Sequence, residues 1–379
     1  MGATVSKAPI IDLFAGAGGL SLGALGAGGD VRLLVDTDPT SCATARLSGH
    51  HAGAMVLEGN VNDLSGDSLR GLAGLTSSDP LVVVGGPPCQ PFSKAAYWSE
   101  DGDDAAYRRA RTLGIHAARP ITPTVARPDP RRSLVWEFWR LVHEANADAF
   151  LMENVPSILH PRNRGEVQAI VDAARSDRFH VRVVQANAVE YGVPQRRHRV
   201  FVLASKAGMP SIPTPTHGPW PHGDRSLSPV VTSGTALKAF AGPEYFEHEE
   251  VVTGRWADHL RDIPPGWNYK HHTEWAGHPR PSFVTETRFW NFLLKLDPAS
   301  PSWTIAANPG PWTGPFHWDG RRLRSSEMAA LQGFPAGYKF VGTRRERVRQ
   351  IGNAVPPPLA EAMVRTLLET LRADLSNAA

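Results

Sequence analysis

Apolar runs alternate with polar stretches along the first 205 residues, and the runs are short. Leu81-Val82-Val83-Val84 is unbroken and mostly β-branched, which predicts a strand buried on both faces. Comparable runs predict strands at Ile10-Ile11, at Val31–Val35 ending in Asp36, before the turn at residues 59–63, at Ala149–Met152, and as a hairpin-like pair at Val181–Val184 and Arg199–Leu203. Between them the period changes. Leu134, Val135, Phe138, Leu141 and Val142 share one face of a helix over 133–145, and a last helix runs from about Leu359 to Leu371. Strands alternating with helices predict an α/β fold with a mostly parallel sheet. Two stretches break the rhythm. Residues 94–132 are polar and predicted as a long loop, and from 206 to 319 periodicity fades into Pro, Gly, His and Trp.

Composition adds bounds. The 379 residues and 41% hydrophobic content suit one large domain with a smaller one. Net charge is only +3, yet the basic residues are mainly Arg, the side chain suited to phosphate and base-edge contacts. Cys42 and Cys89 make no disulfide framework and no zinc motif, and among the histidines His271-His272 is the nearest approach to a metal spacing. No metal is expected. The sequence shows no signal peptide and no membrane-spanning run, so a reducing, cytoplasmic setting without membrane contact is expected.

The chemistry gathers at strand ends. Gly85-Gly86 bends the chain after the Leu81–Val84 run and Pro87-Pro88 stiffens the bend, so Cys89 is presented at the sheet's C-terminal edge, where open α/β sheets place ligands. Glu153 follows the next apolar run and faces the same crevice. Period-two spacing puts Gln195, Arg197 and Arg199 on one face. Near the start, Gly16, Gly18 and Gly19 form a βα turn opening a helix, a nucleotide-binding device, with Asp36 placed to take ribose hydroxyls.

These segments resemble, in order, the motifs of the DNA cytosine-5 methyltransferases: Asp12-Leu13-Phe14-Ala15-Gly16-Ala17-Gly18-Gly19, Pro88-Cys89-Gln90, Glu153-Asn154-Val155, Gln195-x-Arg197-x-Arg199, Leu331-Gln332-Gly333-Phe334-Pro335 and Gly352-Asn353-Ala354-Val355-Pro356. The resemblance implies a Rossmann-like S-adenosylmethionine-dependent domain built from residues 1–205 and 340–379. Inserted in it is a smaller, irregular target-recognition domain at 206–339. It implies that S-adenosylmethionine meets Phe14, Gly16, Gly18, Gly19, Leu20, Asp36, Thr37, Asn60, Val61, Pro88, Leu134, Asn353 and Ala354. Asn60 stands where the family usually has Asp, and its amide oxygen still accepts a bond from the adenine amino group; Asp63 is an alternative acceptor.

For duplex DNA the resemblance implies contacts from Gln90, Ser93, Arg108, Arg109 and Arg111, the arginines on a loop that closes behind a flipped base. Cys89 attacks cytosine C6, which requires a site favouring the thiolate. Glu153 donates to N3, Arg199 and behind it Arg197 hold the O2 edge, and Gln195 braces them. The implied protein is a monomeric prokaryotic modification enzyme, with a cognate restriction endonuclease as a candidate partner or as an orphan. An RNA methyltransferase on the same motifs fits less well because of the 206–319 insert. A DNA-holding protein without chemistry fits less well because Cys89, Glu153 and Arg199 are all present. An NAD dehydrogenase lacks its third Gly, since Ser21 takes that place.

Overall fold

A computed structural model describes residues 7–93, 103–113, 115–118, 128–224 and 226–377. The elements are β1 (Pro9–Leu13), α1 (Gly19–Gly26), β2 (Asp30–Asp36), α2 (Pro39–Leu47), β3 (Met55–Glu58), α3 (Gly66–Leu72), β4 (Val82–Gly85), α4 (Asp103–Thr112), α5 (Leu134–Glu144), β5 (Ala149–Asn154), α6 (Arg164–Ser176), β6 (His180–Asn187), β7 (His198–Ser205), α7 (Ser233–Leu237), α8 (Ala257–Asp262), α9 (Ser325–Leu331), α10 (Arg344–Asn353) and α11 (Pro357–Asn377).

Seven strands form one sheet in the order β3-β2-β1-β4-β5-β7-β6. The first five lie parallel because crossovers join them, most of them helical; β7 runs antiparallel between β5 and β6, as the hairpin-like reading required. Helices cover both faces, which is why the central strands are apolar throughout. Val83 packs with α3, α5 and α6, while Val82 and Val84 pack with α1 and α11. All three valines are fully buried, each contributing roughly 1.5–3 kcal/mol of transfer free energy. Asp12 breaks the pattern: it is a buried carboxyl on the apolar core strand β1.

The sheet's C-terminal edge gathers the functional segments. In register, Gly85 on β4 lies beside Leu13 on β1 and Met152 on β5, so the chain leaving each strand enters a common crevice. The chain's last part closes it. Helix α11 lies against α1, and the Tyr338 hydroxyl donates to the Ala17 carbonyl at 2.6 Å.

The insert between β7 and α9 has little regular structure. Val252, Leu260, Ile263, Tyr269, Phe283, Leu293 and Phe316 form a small core of their own. A second cluster joins Leu237, Leu296 and Ile305 to Leu331, Phe334, Val348 and Ile351, so insert and chain end share a core. Two expectations change. The 94–132 stretch is not loop throughout, because α4 forms in it, and the last helix is longer than its apolar period because polar residues extend it to Asn377. Residues 94–102 and 119–127 lie outside the described residues.

Candidate active site

One cavity of about 300 Å³ opens at the strand ends. On its β2–β3 side stand Phe14, Gly16, Leu20, Asp36, Thr37, Asn60 and Val61. On its β4–β5 side stand Pro88, Cys89, Gln90, Leu134 and Glu153, and Asn353 with Ala354 enter from the end of α10. Residues far apart in the sequence thus line a single space. Gly18 and Gly19 do not. A Cβ on Gly18 would sit 2.6 Å from the His51 ring, and one on Gly19 2.3 Å from the Val355 carbonyl. Gly18 is thus closed on by His51 and Tyr338, and Gly19 by the chain at Val355. Asp63 is likewise absent from the lining.

The Asp36 carboxylate is positioned by two backbone donors, Gly16 N–H at 2.7 Å and Asp38 N–H at 2.8 Å. Burial raises its pKa and those N–H groups partly offset the rise. Asn60 is exposed, and its side-chain oxygen accepts from Asn62 N–H at 3.1 Å. The pattern missed Ser41, Arg349 and Gln350, which also line the cavity. Arg349 is tied to Asp38 at 2.9 and 3.0 Å, a pairing across more than three hundred residues that no local spacing signals.

Cys89 is held from both sides. Asn154 donates to the Pro87 carbonyl at 3.1 Å. Arg132 reaches the Pro91 carbonyl at 3.4 Å, lies 4.7 Å over the Phe92 ring, and is itself fixed by Glu166 at 3.1 Å and Asn163 at 3.0 Å. Glu153 packs over the bend: a Cβ on Gly86 would stand 3.2 Å from its carboxylate. Burial raises the Glu153 pKa although Arg199 pairs with it at 2.7 Å and pulls the other way.

The free site does not lower the Cys89 thiol, as favouring the thiolate would require: burial, and then the Glu153 carboxylate, push it up, against the opposing pull of Arg199 and Arg197.

Arg197 is buried and spends its guanidinium on backbone, donating to Ile305 at 3.4 Å, Gly352 at 2.7 Å and Ala354 at 3.1 Å. Gln195 braces neither arginine directly. Its amide donates to Gln332 at 2.6 Å and to the Leu331 carbonyl at 3.1 Å, and its oxygen accepts Ile305 N–H at 3.1 Å. Gln195 and Arg197 therefore grip opposite sides of residue 305, and the bracing is indirect.

The residues expected at DNA are spread more widely. Gln90 is exposed at the cavity and Ser93 is half-buried beside it in sequence. Arg109 is exposed on α4; Arg111 meets Tyr107 at 3.1 Å and lies 3.6 Å from Glu286 of the insert. The Arg108 side chain is outside the described residues.

The family described as C-5 cytosine-specific DNA methylase matches residues 8–120 and 126–369. The Type II methyltransferase M.SacI of Streptomyces achromogenes is 36% identical, spanning 96% of this chain and 93% of that protein. The Type II methyltransferase M.XorII of Xanthomonas oryzae is 29% identical over 96% of this chain and 85% of its own. Among solved structures, a prophage-encoded E. coli protein described as a DNA modification methyltransferase aligns with a TM-score of 0.68 at 22% identity, covering 97% of this chain and all of the other. The Dnmt2 methyltransferase of S. pombe aligns at 0.57 and 14% identity, over 97% and 99% of the two chains.

Proposed function

This chain belongs to the C-5 cytosine-specific DNA methylases, and from that we propose that it methylates a flipped-out cytosine in a specific duplex sequence through a covalent bond from Cys89 to C6. The observation that carries the reading is the shared cavity: Phe14, Asp36 and Asn60 line the same space as Cys89 and Glu153.

The residues fit S-adenosylmethionine. Phe14, Leu20 and Val61 offer apolar walls for a purine, Asp36 has a second lone pair on each oxygen for hydroxyls, and Asn60 an amide for the purine edge. Bound there, the cofactor supplies an electrophilic methyl group. The protein's own task is to make C5 nucleophilic. Cys89 releases its proton to solvent and adds to C6 as the thiolate. Glu153, once protonated, donates to N3. Arg199 stabilises charge building at O2, while Arg197 keeps that wall rigid. Loss of the C5 proton then lets Cys89 depart. A base inside a duplex cannot meet the thiol, so it must leave the stack. We place Gln90, Ser93 and the arginines of α4 on the DNA side, and sequence choice in the insert. No described helix is long and apolar enough to cross a membrane, and the named relatives are Type II methyltransferases. We read the chain as a monomeric modification enzyme working on cytoplasmic DNA, with or without a cognate nuclease.

Bisulfite sequencing of DNA from expressing cells identifies the target. A duplex carrying 5-fluorocytosine at that position then has no C5 proton to lose, so a complex stable to denaturing electrophoresis forms only with S-adenosylmethionine. Cys89→Ser abolishes it; Cys42→Ser, altering a buried residue of α2, does not. Trapping by Cys89→Ser, or none by the parent enzyme, refutes the covalent step. Methyl transfer to tRNA but not duplex DNA refutes the substrate.

A further inference from the structure

The insert holds a cluster of imidazoles that the reaction does not use. Asp262 ends α8, and one of its carboxylate oxygens, Oδ2, lies 3.7 Å from His271 Nε2, 3.7 Å from His272 Nδ1 and 3.6 Å from His278 Nε2. These separations are too long for hydrogen bonds. They are near the roughly 3.3 Å that separates ligand atoms around a tetrahedral ion with bonds of about 2.0–2.1 Å. The ligand atoms of Asp262, His272 and His278 all lie within 4.8 Å of one another.

The tautomers sharpen the point. His272 Nε2 is 3.0 Å from the His259 carbonyl, and His278 Nδ1 is 2.9 Å from the Arg280 carbonyl. A carbonyl only accepts, so His272 Nε2 carries its proton; His278 Nδ1 also accepts from the Arg280 N–H at 3.2 Å. In the neutral His272 ring the lone pair then sits on Nδ1, turned to the Asp262 oxygen, and His278 Nε2 is turned to the same oxygen. Backbone carbonyls holding the far nitrogen of each ring are the usual support of metal-bound histidines. Protonated rings would instead have drawn the carboxylate in to about 2.7–2.9 Å.

We propose that Asp262, His272 and His278 bind a zinc ion and that the ion staples the recognition insert. Nitrogen and carboxylate donors suit Zn²⁺. The insert needs a staple: its private core is small, and its backbone is mostly turns and short helical pieces. An ion here joins the end of α8 to the turn at Tyr269–His272 and to the chain beyond it. No metal motif is legible in the spacing, because Asp262 comes from a helix and His278 from a separate turn. Asp262 is mainly exposed while His272 is buried, so the ion enters from solvent onto a fixed ring.

The test uses tag-free, full-length protein stripped with chelator, then titrated with zinc chloride against a chromophoric zinc indicator. One zinc per chain is expected, with a dissociation constant below micromolar. Zinc should raise the melting temperature and protect the 252–316 segment from protease. His272→Ala/His278→Ala and the milder Asp262→Asn should each weaken uptake at least tenfold, while His222→Ala, at an exposed site elsewhere in the insert, should not. Retained S-adenosylmethionine binding by the variants shows that the α/β part still folds. Absence of uptake by the parent protein, or full uptake by the double variant, overturns the proposal.

Discussion

Asn154 and Pro87 are joined by a hydrogen bond of 3.1 Å, from the Asn side chain to the Pro carbonyl, so the end of β5 grips the bend that carries Cys89. The bond is buried. Asn154→Ala should cost about 1–3 kcal/mol of stability, because the carbonyl loses its partner without regaining water. Turnover should fall while S-adenosylmethionine affinity holds. Urea unfolding and single-turnover kinetics check both, and unchanged turnover would mean that the bend is rigid without this bond.

Arg197 and Arg199 stand two residues apart and should fail differently. Arg197→Met orphans the Ile305 and Gly352 carbonyls and leaves Ala354's to Gln332 alone, and should lower stability by about 3 kcal/mol or more. Arg199→Met removes the partner of Glu153. The carboxyl can answer by holding its proton, so stability should change little while methyl transfer drops sharply. Thermal melts beside initial rates separate the two. Equal melting losses would contradict the division of labour.

The raised Cys89 thiol predicts a pH profile. Alkylation of the free enzyme by iodoacetamide requires the thiolate, so its rate should climb about tenfold per pH unit through neutrality and level off only above the ordinary thiol range. Glu153→Gln removes a charge that opposes ionisation. It should therefore speed alkylation at pH 8 while slowing methyl transfer. Cys42, pushed up to about 11 by burial, should stay unmodified, as peptide mapping would show.

Asp12 carries a second pH signature. Its carboxyl oxygens have no hydrogen-bond partner among the described residues, and burial pushes its pKa up to about 8, with Ser21 opposing. The folded form thus keeps a proton that the unfolded form releases above about pH 4. Stability is therefore lost as pH rises from about 4 to 8, by at most about 1.4 kcal/mol per unit. Asp12→Asn should flatten this slope relative to the parent protein. Parallel slopes in urea titrations at pH 5 and pH 8 would show that Asp12 does not hold the proton.

The catalytic half was legible because its signals are local. An apolar run buried on both faces and a stiff Gly-Gly-Pro-Pro bend located Cys89, and a neighbouring run located Glu153. Helix α6 also carries a local signal: Val167, Ile170, Val171 and Ala174 have helical spacing and all pack in the core beneath the sheet. Other features had no local signal. Only the fold brings His51 against Gly18 and Val355 against Gly19. Arg349 reaches the cavity only because α10 returns to α2. Burial, which pushes the Cys89 thiol up, depends on the completed fold.

The same return of the chain sets a schedule. Asn353 and Ala354 complete the cavity, and α11 seals the helix layer over α1. The ribosome therefore delivers Cys89, the paired Glu153 and Arg199, and the whole insert before that wall of the cavity exists. A nascent chain stalled anywhere before residue 353 holds Cys89 beside an open-sided crevice.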